Sequence, residues 1–321
     1  MQEKLARKKI LFEHQLKRAK ASFNSRRVEL SHAKYLLTDT SPRAGDLVLA
    51  QIKQISQHSR IHLRDGRRAR LYPGDEVILS YANRYAVDQF EAEVPNNLSR
   101  CHMVAAGGVA SKVISKSFLM KNPTVIKPIG LMADAYGKVI NIKDYALPQK
   151  RIAKDHPAIV VAVVGTEMNS GKTLTASCLI RSAVWAGLRV VGIKVTGTGA
   201  AGDFSEMVDA GAHGVLQQET HALISRSVFK ENVDGVVLAA SDLLAAKAAA
   251  EVLTGANLPL MGVSGYVAGS QIGCRTTKKV TGYDVFNKNT LCSASMMLRL
   301  LPKLSVDQKP TLVGGRWNVL V

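Results

Sequence analysis

Hydrophobic positions follow two different rhythms along the chain. Residues 159–164, Ile-Val-Val-Ala-Val-Val, form an unbroken apolar run, and residues 188–195 return to that β-branched composition after a segment, 172–186, without Pro or Gly. Short continuous apolar runs suit fully buried strands, and the uninterrupted segment between them suits a helix stopped by Gly187. Runs at 236–240 and 258–263 read as two more strands. Four strands, near 159, 189, 234 and 258, joined by helical connections, predict a parallel sheet by the right-handed crossover rule. Ser241 and Asp242 are placed to cap an alanine-rich helix over 243–253, and a last helix around 291–301 ends at Pro302. Residues 200–232 hold no apolar run long enough for a buried strand.

The first half has another grammar. Between Gly45 and Tyr145 the segments 46–55, 60–63, 67–72 and 76–81 are strand-like and separated by turn residues, with a hairpin signal at Asp65-Gly66. They predict a small barrel or curled sheet. Upstream, Phe12, Leu16, Ala19 and Phe23 recur at the period of one helix face and predict a basic amphipathic helix. Polar residues 148–157, bounded by prolines, mark a linker. The division that follows is a helical arm over 1–40, a β-rich domain over 41–147, a linker over 148–157 and an α/β domain over 158–321.

Composition refines this picture. The 321 residues are 46% hydrophobic, which suits globular domains. No apolar run approaches the roughly 18 residues that span a bilayer, and the N-terminus lacks a secretory apolar core, so a soluble, cytoplasmic protein is expected. Cys101, Cys178, Cys274 and Cys292 form no C-x-x-C pair, which points away from zinc and disulfides and towards a reducing compartment. A net charge of +18 favours encounter with polyanions without choosing among them. Ten basic residues against three glutamates fall within 1–37; that arm reads as docking on its own protein or a second subunit, with nucleic acid or a membrane surface as the alternative. Arg64, Arg67, Arg68 and Arg70 read as a solvated face, with phosphate contact as the alternative. Cys101 and His102, adjacent on a strand, point to opposite faces and are assigned no catalysis.

The chemistry concentrates after the run at 159–164. Gly165, Thr166, Glu167, Met168, Asn169, Ser170 and Gly171 form a glycine-bounded loop leading into Lys172 and Thr173 at a helix start. Successive backbone N–H groups ending at a helix N-terminus make a cradle for a polyphosphate. Lys172 would reach the β and γ phosphates, and the Thr173 hydroxyl would ligate Mg²⁺. Lys194, Thr196, Thr198 and Asp203 follow the next strand, where open α/β sheets bind ligands. The G-x-G-x-x-G pattern at 197–202 lacks a convincing acidic residue about twenty positions on, so no dinucleotide site is expected.

The usual loop has four residues between its first glycine and the Gly-Lys pair; here there are five, Thr166 to Ser170. This spacing resembles the loop of dethiobiotin synthetase and its relatives, in the class of P-loop proteins that also holds the MinD-like ATPases. Lys194-Val-Thr-Gly-Thr-Gly199 sits where dethiobiotin synthetases carry a lysine that helps bind substrate. Nearly the whole chain, including Pro42-Arg-Ala-Gly-Asp46 and Tyr72-Pro-Gly-Asp75, is similar to bacterial proteins labelled molybdopterin-guanine dinucleotide biosynthesis proteins, whose P-loop domain resembles that of the D-glutamate N-acetyltransferase family.

The resemblance implies an α/β P-loop fold, a parallel sheet with helices on both faces, behind the β-rich domain and basic N-terminal helix. It implies ATP, with GTP as the alternative, together with Mg²⁺, and phosphoryl transfer to a small acceptor. Lys172 would stabilise developing charge, Thr173 would hold Mg²⁺ and Lys194 would position the acceptor. Alternatives are a nucleotide-binding adapter in cofactor biosynthesis and a nucleic-acid-binding NTPase. A homodimer is also an expectation of the resemblance. In that family a long insert, containing a strand that ends in an acid, separates Asp-Ala-Gly-Ala-His, as at 209–213, from an element like 217–220; here only Gly214, Val215 and Leu216 intervene. The metal acid then falls to Asp242 or Glu219.

Overall fold

Strands buried on both faces dominate the first half of the chain. The computed structural model describes residues 7–86, 88–146, 159–163, 171–195, 197–217, 235–239, 262–265 and 317–320. These divide into two compact units, the first reaching Ala146 and also taking in Thr198–Ala201, the second comprising the rest.

In the first unit the elements run β1 (Lys8–Ile10), α1 (Glu13–Arg18), β2 (Lys20–Ala21), β3 (Tyr35–Leu37), β4 (Leu47–Gln54), β5 (Arg60–His62), β6 (Arg68–Arg70), β7 (Glu76–Tyr81), β8 (Arg84–Tyr85), β9 (Phe90–Glu93), β10 (Cys101–Ala105), β11 (Val109–Lys116) and β12 (Thr124–Ala133). Ten of these strands form one mixed sheet, in which β12, β4, β7 and β11 are consecutive neighbours and β10 pairs with both β11 and β12. That last pairing closes the path into a ring, which removes the edges an open sheet would leave. Side chains two apart fill its interior: Val48, Ala50 and Ile52 from β4, Val77, Leu79 and Tyr81 from β7, Cys101 and Met103 from β10. The intervening residues Leu47, Leu49 and Ile78 are equally buried, because Leu11, Ala19, Val28, Ala33 and Leu36 of the N-terminal segment pack over them. Two buried faces explain why β4 and β7 read as apolar runs rather than as alternation.

The second unit holds β13 (Ile159–Val163), α2 (Lys172–Trp185), β14 (Val190–Lys194), α3 (Ala201–Asp209), β15 (Gly214–Gln217) and β16 (Gly235–Ala239), then β17 (Gly262–Gly265) and β18 (Trp317–Leu320). The first four of these strands make a parallel sheet in the order β13-β16-β14-β15. Ala176, Leu179, Ile180 and Ala183 of α2 share a core with Val161, Val163, Val190 and Val237. Gly192 lies under both helices: a Cβ there would meet Ile180 Cδ1 and Met207 Sδ, each at 2.9 Å.

Four expectations are corrected. An α/β P-loop fold with helices on both faces does not describe the chain: it is strand-rich, dominated by the ten-stranded sheet, with three α-helices among the described residues. Two of the three, α2 and α3, converge on the same face of β14 at Gly192. The basic N-terminal helix reduces to the six residues of α1. Its backbone turns extended at Ala19 and pairs with β7, because ladder bonds and burial outweigh a helix too short to sustain itself. The stretch expected to lack a strand contains β15, since an edge strand needs only one partner, and four residues suffice to pair with β14. Conversely, the strand expected near 258–263 does not join the parallel sheet in its described part, where Gly262–Gly265 pairs antiparallel with β18. The expected helices at 243–253 and 291–301 and the linker at 148–157 lie outside the described residues. No helix among the described residues is long and apolar enough to cross a membrane.

The barrel carries a pH signature. Burial pushes the His58 imidazole down to about 4, the Arg84 charge adds to the shift, and a hydrogen bond with the Met103 backbone opposes it. Burial depresses His62 and His102 in the same direction. A depressed folded-state value means that the unfolded chain takes up the proton first. The stabilisation is therefore present above about pH 6.5 and lost as pH falls towards 4, at up to about 1.4 kcal/mol per pH unit for one histidine. Amide exchange in β4, β10 and β12, measured from pH 7 to 4.5, is expected to show this loss, and His58→Gln to flatten it.

Candidate functional site

Parallel register brings the carboxyl ends of four strands level. Val163 pairs with Ala239, Ala239 with Lys194, and Lys194 with Gln217, so the four residues form one row across the sheet. At this edge Gly171, in the left-handed region at φ 84°, opens α2. Among the described residues nothing lies within 4 Å of where a Cβ would sit, so the requirement for glycine there is one of backbone conformation. Lys172 and Thr173, both half-buried, form the first turn of α2, where the helix dipole gives a partial positive charge.

The centre of the site is the ammonium of Lys194. The residue ends β14 and is only 9% exposed. Its Nζ donates to Thr173 Oγ1 at 2.8 Å and forms an ion pair with Asp203 Oδ2 at 2.9 Å. Asp203 stands in the first turn of α3, where an acid is favoured by the helix dipole. One cation thus joins the start of α2, the end of β14 and the start of α3. The Asp203 side chain is 42% exposed against 11% for that of Lys194, so the pair opens to solvent on its acidic side. Three residues on, Glu206 faces the same charges. Burial pushes its carboxyl above the usual range, Asp203 adds to the rise, and Lys194 opposes it.

Of the residues singled out from sequence, the structure thus unites Lys194 with Thr173 and Asp203 and sets Lys172 beside Thr173. Thr198 lies in the loop between β14 and α3, in the segment grouped with the first unit. Gly165, Thr166, Glu167, Met168, Asn169, Ser170, Thr196 and both candidate metal acids, Asp242 and Glu219, lie outside the described residues. Sequence reasoning missed Glu206; its three-residue spacing from Asp203 on one helix was the available signal. Cys101 is 1% exposed inside the barrel, with burial pushing its thiol up to about 11, which fits a structural role. Among the described residues no group of three or more His, Cys, Asp or Glu is placed to hold a metal ion.

No family model, curated protein or solved structure matches the chain.

A lysine this buried depends on its acid. Asp203→Asn is expected to destabilise the second unit by on the order of 1–3 kcal/mol, because it leaves the ammonium with a hydroxyl alone. Combining it with Lys194→Met is expected to recover part of that loss. The protein's two tryptophans, Trp185 and Trp317, both lie in the second unit, so denaturant unfolding followed by tryptophan fluorescence measures both variants.

Proposed function

We propose that the chain binds a nucleoside triphosphate, ATP before GTP, together with Mg²⁺ at the carboxyl edge of its four-stranded parallel sheet, and uses it to transfer a phosphoryl group to a small acceptor. The observation that carries this reading is the convergence of Thr173 at the start of α2, Lys194 at the end of β14 and Asp203 at the start of α3, with Thr173 following the glycine-bounded sequence 165–171. A polyphosphate needs N–H donors, cations and a hard-oxygen site for its metal, and these residues supply all three kinds.

Thr173 and Asp203 fit Mg²⁺ chemically, since a hydroxyl and a carboxylate already meet at one cation, the Lys194 ammonium. Mg²⁺ keeps several waters and is commonly held by one or two protein oxygens plus phosphate, so two ligands are enough. When bound, it would neutralise charge on the phosphate oxygens. Lys172 binds the terminal phosphates. Lys194, released from Thr173 and Asp203, is positioned to orient the transferred group or the acceptor. The free thiols of Cys101 and Cys178 suit a reducing compartment, and we place the protein in the cytoplasm on that ground.

Calorimetric titration of ATP and of GTP, with and without Mg²⁺, tests the reading. Lys172→Ala is expected to weaken binding by about 10- to 100-fold, the worth of one or two charge-assisted hydrogen bonds. Thr173→Ala is expected to abolish most of the Mg²⁺ dependence. No binding by the folded wild-type chain would refute the proposal. Binding without ADP release on addition of any acceptor would favour the nucleotide-binding adapter over the transferase.

A further inference from the structure

The β5–β6 hairpin carries charge that its own fold does not require. Residues 60–70 hold five arginines and one aspartate. The two strands form a two-stranded sheet among the described residues, in a register that sets Arg60 directly opposite Arg70. Arg60, Arg68 and Arg70 are exposed, whereas Ile61 and Ala69 between them are buried and, with Leu71, anchor the hairpin in the barrel core. Like charges directly opposite on adjacent strands destabilise the pair. The apolar residues do the packing, so folding alone would accept any polar side chain at 60, 68 and 70. The acid in the turn does not offset them: the Asp65 carboxylate accepts from the Arg67 N–H at 2.9 Å, which fixes the turn.

An aromatic ring completes the face. Tyr72, two residues beyond Arg70, is 57% exposed, and among residues 60–72 it is the one large hydrophobic that is exposed. Lys20 Nζ lies 5.5 Å and Arg70 Cζ 6.0 Å from its ring centroid. Lys20 also donates to the Arg70 carbonyl at 2.9 Å and pairs with Asp75, whose carboxylate accepts from the Tyr72 N–H at 2.7 Å. The backbone that carries Arg70 and Tyr72 is therefore fixed, with two cations set beside the ring, before any partner arrives, which lowers the ordering cost of binding.

Guanidinium groups repeating along a rigid strand, with an open aromatic face alongside, match one polyanion best. Arg68 and Arg70 are two residues apart on β6, about 6.6–6.8 Å in an extended strand. Phosphates along a single strand bind such cations, and an unstacked base lies on a ring flanked by cations. A lipid surface would reward exposed aliphatic side chains, whereas Ile61, Ala69 and Leu71 face inward. We infer that the β5–β6 hairpin with Tyr72 is a binding surface for single-stranded nucleic acid, with Arg60, Arg68 and Arg70 on phosphates and Tyr72 stacking on a base. The inference shares no residue with the proposed nucleotide site and does not depend on it.

Fluorescence anisotropy of a labelled 20-nucleotide oligo(U) with the full chain, across a salt series, tests the inference. Arg60→Ser, Arg68→Ser and Arg70→Ser together are expected to weaken binding at least about tenfold near 0.1 M salt and to reduce the slope of log affinity against log salt by about 2. The same variant is expected to melt no lower than wild type, because the Arg60–Arg70 repulsion is gone. Tyr72→Ala is expected to weaken binding to oligo(U) but not to an abasic strand of equal length. A matched control, Lys112→Ser with Lys116→Ser and Lys121→Ser, is expected to retain binding, as is Lys172→Ala. Equal loss in the matched control would overturn the inference in favour of non-specific charge. No binding by wild type, an unchanged salt slope in the arginine variant, or tighter binding to phosphatidylserine vesicles than to oligo(U) would each overturn it as well.

Discussion

An ammonium group held almost out of water must be surrounded by oxygen, or its burial costs several kcal/mol. Lys194 meets that demand with Thr173 on one side and Asp203 on the other. Because those two residues open the two helices that follow β13 and β14, one requirement for charge balance fixes the first turn of each helix against the sheet edge. The row of strand ends through Val163, Ala239, Lys194 and Gln217 sets the level at which this happens. Chemistry and architecture in the second unit therefore share a single point. On the proposed reading, a ligand that brings its own metal and negative charge would take over the oxygens and the ammonium without rebuilding the frame.

The first unit solves a different problem. Its ring of strands leaves no long open edge, but β4 and β7 present apolar side chains outward as well as inward. The N-terminal segment covers that outer face, and this need shapes it more than its own periodicity does. Phe12, expected on the buried face of a helix, is 54% exposed, whereas Phe23, expected on the same face, is 3% exposed. A helix through both would have kept them together. The chain instead breaks after Arg18, and each short piece follows the barrel surface.

What the residues reveal in advance depends on how local the cause is. The strands at 159–163 and 190–194 and the helix after Gly171 are legible because continuous apolar runs and a Gly-free segment leave few alternatives. β15 was not, because Gly214, Val215, Leu216 and Gln217 become a strand only against a formed β14. The helix-covered architecture that the resemblance implied does not hold, because among the described residues the ten-stranded sheet outweighs the three α-helices. Lys194 could be placed at a strand end from sequence, but its pairing with Asp203 depends on where α3 begins, and no local pattern encodes that. The arginines of the hairpin read as an ordinary solvated face until the register set Arg60 against Arg70 and the fold brought Lys20 to Tyr72.

The central claim is that the oxygens and charges around Lys194 receive the phosphates of a nucleotide. Hydrogen–deuterium exchange of the full chain with and without Mg²⁺-ATP tests it most directly, since it maps where binding acts. The account predicts slowed exchange at the start of α2, at the end of β14 and in the first turn of α3. Protection confined to the barrel, with exchange at those three segments unchanged, would contradict it.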